Sequence, residues 1–548
     1  MAAAVTTGGQ PADAAVAPVL TVHVLSTRAD LVSGGQALVG VDGVAGRRVH
    51  VTVGSRDVTS AFAVRPDGHF EGVVKGLVVG KNTLTARLGN GSGARIPITN
   101  HPIGGPLFAG PQVQPWPCTT AAAGLGAPTD RQCNAPTTVA YYYKSSNPAK
   151  LGFTVYDPAQ PPTDVAVTTT DRGLTMPFIV RVETGTQDRG IYQVLVLADP
   201  TRPWSPWSPQ AGWNHKLLVP FGGSCTAHYG QTAPAGAYSS GMFDATALGR
   251  GFAVAANGLN TLGNGCNEVV SAEALTMLKE HIRDTLGSIR YTIGEGASGG
   301  SIQQYNLAAS YPGLLDGITP ASAFTDVATT TNEVLDCGLL EHYYESNPFL
   351  LTPVQRGFVE GHANVGSSCV AWVALLLPSA DPTGNGPLGT GTTVKDNNCG
   401  VPAEQRWSAT NTKGVRCDIF DYQAAIYGRR ADGYGKRAVT NIGIQYGLIA
   451  LAAGQITAQQ FVDLNAKVGG YDINLNWQPQ RMAADPGSIA TAYRTGRVTD
   501  AHQLASVPII DVRPQDNEEI HQSYYSYTMR ARLDAANGTH ANQVLWTV

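Results

Sequence analysis

Hydrophobic and polar positions follow two different grammars along this chain. From residue 19 to 100 the runs Leu20-Thr-Val-His-Val24, Ala37-Leu-Val-Gly-Val41, Val49-His-Val-Thr-Val53, Phe62-Ala-Val64 and Asn82-Thr-Leu-Thr-Ala86 alternate with period two, separated by Gly, Asp and Asn. Short alternating runs with frequent turns predict a small all-β domain, an Ig-like antiparallel sandwich. It carries no catalytic pattern, so packing or spacing is its expected task, with carbohydrate or polymer binding as the other reading. Residues 1–18, rich in Ala, Gly, Thr and Pro without a period, predict a flexible lead-in.

Beyond residue 150 the grammar changes. Strand-like runs occur at Pro177-Phe-Ile-Val-Arg-Val182, Ile191-Tyr-Gln-Val-Leu-Val-Leu197, Lys216-Leu-Leu-Val219, Phe252-Ala-Val-Ala-Ala256 and residues 289–293. Between the last two, Leu275, Leu278, Ile282 and Leu286 share one face of a helix predicted over 271–286, with Ser271 as its cap. Strands alternating with helices predict an α/β fold around a largely parallel sheet. The expected layout is a first core part over 151–322, an insertion over 323–500 with helical patterns such as 439–453, and a second core part over 501–548. Residues 101–150, with Pro106, Pro111, Pro115 and Pro117, predict a connector pinned by a disulfide.

One stretch carries chemistry. Arg290-Tyr-Thr-Ile-Gly294-Glu-Gly296-Ala-Ser298-Gly299-Gly300 is a β-branched and aromatic run ending in glycines, followed by a helix-compatible segment. Gly296-Ala-Ser298-Gly-Gly300 fits the Gly-x-Ser-x-Gly nucleophile elbow, in which glycines remove side chains that would clash at a strained strand-to-helix turn. The turn would hold the Ser298 hydroxyl at a helix N-terminus, where the Gly299 amide could stabilise an oxyanion. The same letters also read Gly-x-Gly-x-x-Gly, a dinucleotide-binding turn, or a plain glycine-rich turn. The dinucleotide fingerprint wants an acid at the end of the next strand, about 20 residues on. Asp316, the nearest candidate, opens the run Asp316-Gly-Ile-Thr-Pro320 and so falls at the wrong edge of the sheet.

Composition narrows the picture. In 548 residues only 14% are charged, while Gly (63) and Pro (34) are plentiful, as in a loop-rich, rigidly turned protein of two or three units. The net charge of -4 makes no case for nucleic acid or an anionic membrane as partner. Eight cysteines without Cys-x-x-Cys or zinc-finger spacing point to disulfides, and hence to a secreted, extracellular protein. Cys118 is expected to pair with Cys133, leaving Cys337, Cys369, Cys399 and Cys417 to pair among themselves. The start of the chain shows neither a signal peptide nor a membrane span, consistent with an export signal already removed.

The element order resembles the α/β-hydrolase fold. In Leu217-Leu-Val-Pro-Phe-Gly222-Gly223-Ser224-Cys225 the glycines after the third strand match that fold's oxyanion loop, and the resemblance assigns the oxyanion donors to Gly299, Gly223 and Ser224. Cys225 and Cys266 then both follow strand C-termini on the active face, which pairs them. Tyr311-Pro-Gly-Leu-Leu-Asp316-Gly-Ile-Thr-Pro-Ala-Ser322 resembles the segment after the elbow in tannases and feruloyl esterases. The cysteine that precedes the serine in those enzymes is Ala297 here, which places the chain beside them, in a related branch of secreted bacterial hydrolases.

The resemblance implies a large lid over 323–500 and a Ser-His-Asp triad. The acid should follow the seventh strand, which favours Asp516, with Asp511 next and Asp326, after the sixth strand, third. His521 is the candidate base, its bland reading being a histidine at a helix start. His540 precedes the eighth strand, at the wrong edge, and a histidine beyond Val548 is the remaining option. The expected activity is cleavage of carboxylic esters, aryl or polymeric by resemblance, through an acyl-enzyme, with no cofactor and no metal. A peptidase or amidase with the same triad, or a non-catalytic extracellular binding protein, are the alternatives.

Overall fold

The computed structural model describes residues 19–236, 241–362, 368–384, 399–514 and 520–548. The lead-in and Asp516 therefore lie outside the described residues. Two compact units divide the chain, Met1–His101 and Pro102–Val548.

In the first unit, a four-stranded sheet and a five-stranded sheet hold the strands. Val49–Val53 and Phe62–Val64 coincide with the alternating runs, and Gln36–Asp42 and Gly80–Leu88 extend theirs. Inward positions of both sheets, among them Val22, Val39, Val51, Val74, Leu84 and Ile98, share one core. Two further strands, Phe70–Lys75 and Gly93–His101, had no clear alternation to announce them. Gly72 and Pro97 interrupt their apolar positions, and pairing with neighbours overrides that weak local preference.

The second unit is built on a ten-stranded sheet. Eight of its strands, in chain order, are β1 (Ile179–Gln187), β2 (Gly190–Leu197), β3 (Lys216–Pro220), β4 (Ala253–Asn257), β5 (Tyr291–Ser298), β6 (Gly317–Ala323), β7 (Ile509–Arg513) and β8 (Gln543–Thr547). Their spatial order is β1-β2-β4-β3-β5-β6-β7-β8, extended beyond β1 by Thr138–Tyr143 and Thr154–Val155. β2 runs antiparallel to both neighbours, whereas every pair from β4–β3 to β7–β8 is parallel.

A sheet covered on both faces explains why the strand runs are almost wholly apolar. Val194, Val196, Leu217, Val219, Ala253 and Ala255 pack on one side with α1 (Glu268–Thr285) and α2 (Gly299–Ser310), through Leu275, Leu278, Ile282, Tyr305 and Leu307. The alternate residues Leu195, Leu197, Leu218, Val254 and Ala256 enter a separate core on the other side. α1 begins three residues earlier than the periodicity predicts. Asn267, not Ser271, caps it, accepting from the amides of Val269 and Val270. Ser271 is buried instead, its hydroxyl donating to Gln303 at 2.7 Å.

Between β6 and β7 lies the long insertion, opening with α3 (Val327–Ser346) and followed by short helices including α4 (Ser368–Leu375). Its core is continuous with the sheet's upper edge: Val334, Leu335, Trp372 and Ile419 cluster with Ile302, Phe324 and Ile520. Within the stretch 439–453 only Leu448–Ala452 is helical, because Gly443 and Gly447 adopt φ of 80° and 76° and break the run. The four disulfides are Cys118–Cys133, Cys225–Cys266, Cys337–Cys369 and Cys399–Cys417. Among the described residues no helix is long and apolar enough to cross a membrane.

Candidate active site

β5 ends at Ser298, and α2 starts at the next residue. Ser298 takes φ 58° and ψ −123°, a conformation that L-residues rarely adopt and that costs on the order of 1–3 kcal/mol unless its surroundings enforce it. They do. The Ser301 hydroxyl donates to the Ser298 carbonyl at 2.6 Å, and the amide of Phe324, just after β6, donates to the same hydroxyl at 3.0 Å. The β5–β6 ladder shifts register between Ala297 and Ser298, where the bend departs from the sheet.

Glycine is required around the bend by contact as much as by torsion. A Cβ on Gly296 or on Gly300 would meet the Phe221 carbonyl oxygen at 2.3 Å, and one on Gly299 would meet that of Ser224 at 2.1 Å. The loop after β3 thus presses its backbone directly against the elbow. Its own course is fixed by the Phe221 amide donating to Glu295 O at 2.8 Å, by Gln303 Nε2 donating to Gly222 O at 3.0 Å, and by the Cys225–Cys266 link to the start of α1. At Gly223 a Cβ would sit 3.5 Å from Ser298 Cβ and 3.8 Å from the Gly299 amide nitrogen. Among the described residues the amides of Gly223 and Ser224 donate to no acceptor. The first-turn amides of α2 have no partner within the helix either. Gly223 and Gly299 therefore lie close beside the serine, and Ser224 lines the same cavity; backbone amides next to a nucleophile are groups that can stabilise a developing oxyanion.

Ser298, Gly299 and Ser224 form one end of a cavity of about 60 Å³. Its remaining described wall is mostly apolar, with Ile302 and Phe324 from the core, Val334 and Leu335 from α3, and Trp372 and Ile419 from later in the insertion, the hydroxyls of Thr330, Thr331 and Ser379 being the exceptions. Ile520 completes it on the β7 side.

His521 follows Ile520, and its ring lies against Phe324 with centroids 5.2 Å apart. Arg513, at the end of β7 and buried, fixes this loop: Nη1 donates to His521 O at 2.7 Å, Nη2 to Ala323 O at 2.6 Å and Nε to Ser526 Oγ at 3.0 Å. Ala323 is the register partner of Ser298, so this guanidinium ties the histidine's backbone to the strand beside the elbow. Nothing in the sequence pattern singled out Arg513. An arginine directly before Pro514 at a strand end was the available signal, since a charge there must find carbonyls if it is buried.

Two of the three carboxylates considered for the acid are committed elsewhere. Asp511 accepts from the Tyr305 hydroxyl of α2 at 3.1 Å, in the helix layer, and burial raises its carboxyl above the usual range. Asp326 caps α3 by accepting from the Thr329 amide at 2.7 Å and forms an ion pair with Arg532. His540 is half-buried and bonded to Asp534 at 2.8 Å, before β8. Among the described residues no three His, Cys, Asp or Glu side chains are grouped so as to hold a metal ion.

Strand order and elbow together define an α/β-hydrolase-like core. The chain belongs to the tannase-like family of unknown function DUF6351, whose profile matches residues 22–548. No curated protein matches it in sequence. Among solved structures it is similar to feruloyl esterase B from Aspergillus oryzae, at 14% identity over 75% of this chain and 78% of that one, with a TM-score of 0.34. Tannin acyl hydrolase from Aspergillus niger is similar at 11% identity over 79% and 81%, with a TM-score of 0.28. Esterase E22 is similar at 12% over 75% and 93%, with a TM-score of 0.25. At these identities and scores the chemistry has to be argued from the site itself.

Proposed function

We propose that this protein is a secreted serine hydrolase that cleaves carboxylic esters through an acyl-enzyme. The observation that carries the reading is Ser298, held at φ 58° beside Gly223 and Ser224, whose amides donate to no acceptor among the described residues. In the reaction, Ser298 Oγ attacks the ester carbonyl carbon while its proton passes to His521. The carbonyl oxygen takes up the negative charge against the amides of Gly299, Gly223 and Ser224. Collapse breaks the bond to the alcohol, which leaves with the proton from His521, and water repeats the sequence to release the acid. Asp516 orients the imidazole in this scheme. Its place in the sequence after β7 supports that role, as do the structural commitments of Asp511 and Asp326. The insertion acts as a lid that walls the acyl-enzyme from bulk water. Four disulfides support an extracellular setting.

The test is hydrolysis of p-nitrophenyl acetate by the full chain and by Ser298→Ala. Removal of the nucleophile is expected to lower kcat by about 10⁴-fold or more. Equal rates in the two proteins would end the reading.

A further inference from the structure

The cavity beside Ser298 differs from what an aromatic polyhydroxy acid needs. Of its described lining Ser224, Ser298, Thr330, Thr331 and Ser379 carry hydroxyls, the Trp372 indole nitrogen already donates to Glu333 at 3.3 Å, and no charged residue is present among them. The Thr330 hydroxyl is already committed, donating to Asp326 O at 2.7 Å. Facing the serine instead are Phe324, Val334, Leu335, Trp372, Ile419 and Ile520, all nine-tenths or more buried. A ring with several hydroxyls would leave most of them without partners there, and a site that strands polar groups rejects them.

The size is equally selective. About 60 Å³ is well short of the roughly 150 Å³ that holds a benzene ring, so the space favours a short alkyl chain over a substituted ring. The walls come from well-packed core side chains and resist expansion. A narrow, largely apolar recess suits the part of the substrate that stays bonded to the serine during the reaction. The alcohol must depart, and water must arrive, by another side.

We propose that this cavity is the acyl site and that it selects esters of small apolar acids, of about four to six carbons, over esters of polyhydroxylated aromatic acids. The proposal rests on the ester-hydrolase reading and names its substrate class. Val334, Leu335, Trp372 and Ile419 are then the specificity-determining residues, acting by volume alone.

The experiment uses the full chain and two substrate sets. p-Nitrophenyl esters from acetyl to decanoyl vary the acyl group at constant alcohol. Methyl butanoate, methyl gallate and methyl ferulate compare acid types with the same leaving group. Each methylene added inside the cavity should raise kcat/KM by about fourfold, with a maximum between butanoyl and hexanoyl and a fall beyond. Methyl gallate and methyl ferulate should be at least about tenfold poorer than methyl butanoate. Leu335→Trp should lower the hexanoyl-to-acetyl ratio by at least about tenfold. A buried tryptophan can unfold the protein, so Ile419→Ala serves as the second variant, and it should move the optimum to longer chains. A flat chain-length profile, a preference for gallate, or an optimum unmoved in Ile419→Ala would overturn the proposal. So would chain-length dependence residing in the alcohol of a set of acetate esters. If no ester at all is hydrolysed in a Ser298-dependent manner, the functional reading falls and takes the selectivity with it.

Discussion

Two walls enclose the same cavity and are specified in opposite ways. On the core side, the bend at Ser298 and the loop after β3 meet backbone to backbone, and Gly296, Gly299 and Gly300 are demanded by carbonyl oxygens within 2.1–2.3 Å of where a Cβ would be. On the insertion side, Val334, Leu335, Trp372 and Ile419 contribute only bulk. A wall made of main chain tolerates one residue type at each contact and fixes donors to fractions of an ångström. A wall made of apolar side chains accepts many combinations of similar volume, because packing is satisfied by size and shape. On the proposed reading, chemistry is set on the first wall and selectivity on the second.

The strongest way to break this contrast is Gly299→Ala. The added methyl cannot coexist with Ser224 O, so the donor loop must move, and kcat is expected to fall by at least about 10²–10³-fold while the fold survives. Retained activity, with an unshifted melting temperature, would show that the backbone contact is not decisive. Arg513→Met probes the polar staple between the two chain segments on the core side. It strips donors from the carbonyls of His521 and Ala323, and a stability loss of about 2–4 kcal/mol in urea unfolding is expected, with kcat reduced more than KM is raised. Unchanged kinetics in the folded fraction would mean that the histidine loop needs no such tether.

The smallest effect is expected at Glu295, on the elbow strand. Burial, aided by the charge of Asp244, pushes its carboxyl up to about 7. In the unfolded chain the group ionises near 4.5. Between those values the native state holds the proton that the unfolded state has lost, so this group's contribution is fully present below about 4.5 and disappears as pH rises through about 7. Glu295→Gln, always neutral, should flatten that decline and be more stable than the parent at pH 8 by on the order of 1–2 kcal/mol, with no gain at pH 4.5. Denaturant melts at the two pH values check it; an equal shift at both would assign the effect to something other than ionisation.

The same contrast explains what could be read from the letters. Ser298, its glycines and Gly222-Gly223-Ser224 were legible because strained backbone leaves few residue choices, and the pairs Cys118–Cys133 and Cys225–Cys266 followed from loop length and strand ends. The cap of α1 was misplaced because Ser271 has the right chemistry for a cap, yet serves the buried bond to Gln303. The helix expected over 439–453 shrank to Leu448–Ala452 because its apolar spacing was right and its glycines were not weighed against it. Arg513 escaped notice since a single buried cation has no periodic signature. The volume of the cavity was never encoded locally at all: its walls come from residues more than 200 positions apart, Ile302 and Ile520 among them.

The carbonyl of Phe221 lies against two positions without side chains, Gly296 and Gly300, while Pro220 pairs with Glu295 in the adjoining parallel strand. Sliding one strand past the other by a single residue would bring that oxygen against Glu295, Ala297 or Ser301, each of which carries a Cβ. Mispaired chains are thus penalised at the very spot where the proposed nucleophile sits, so the bend doubles as a proofreader of strand alignment, and a molecule whose central strands have closed correctly already has the bend at Ser298 assembled.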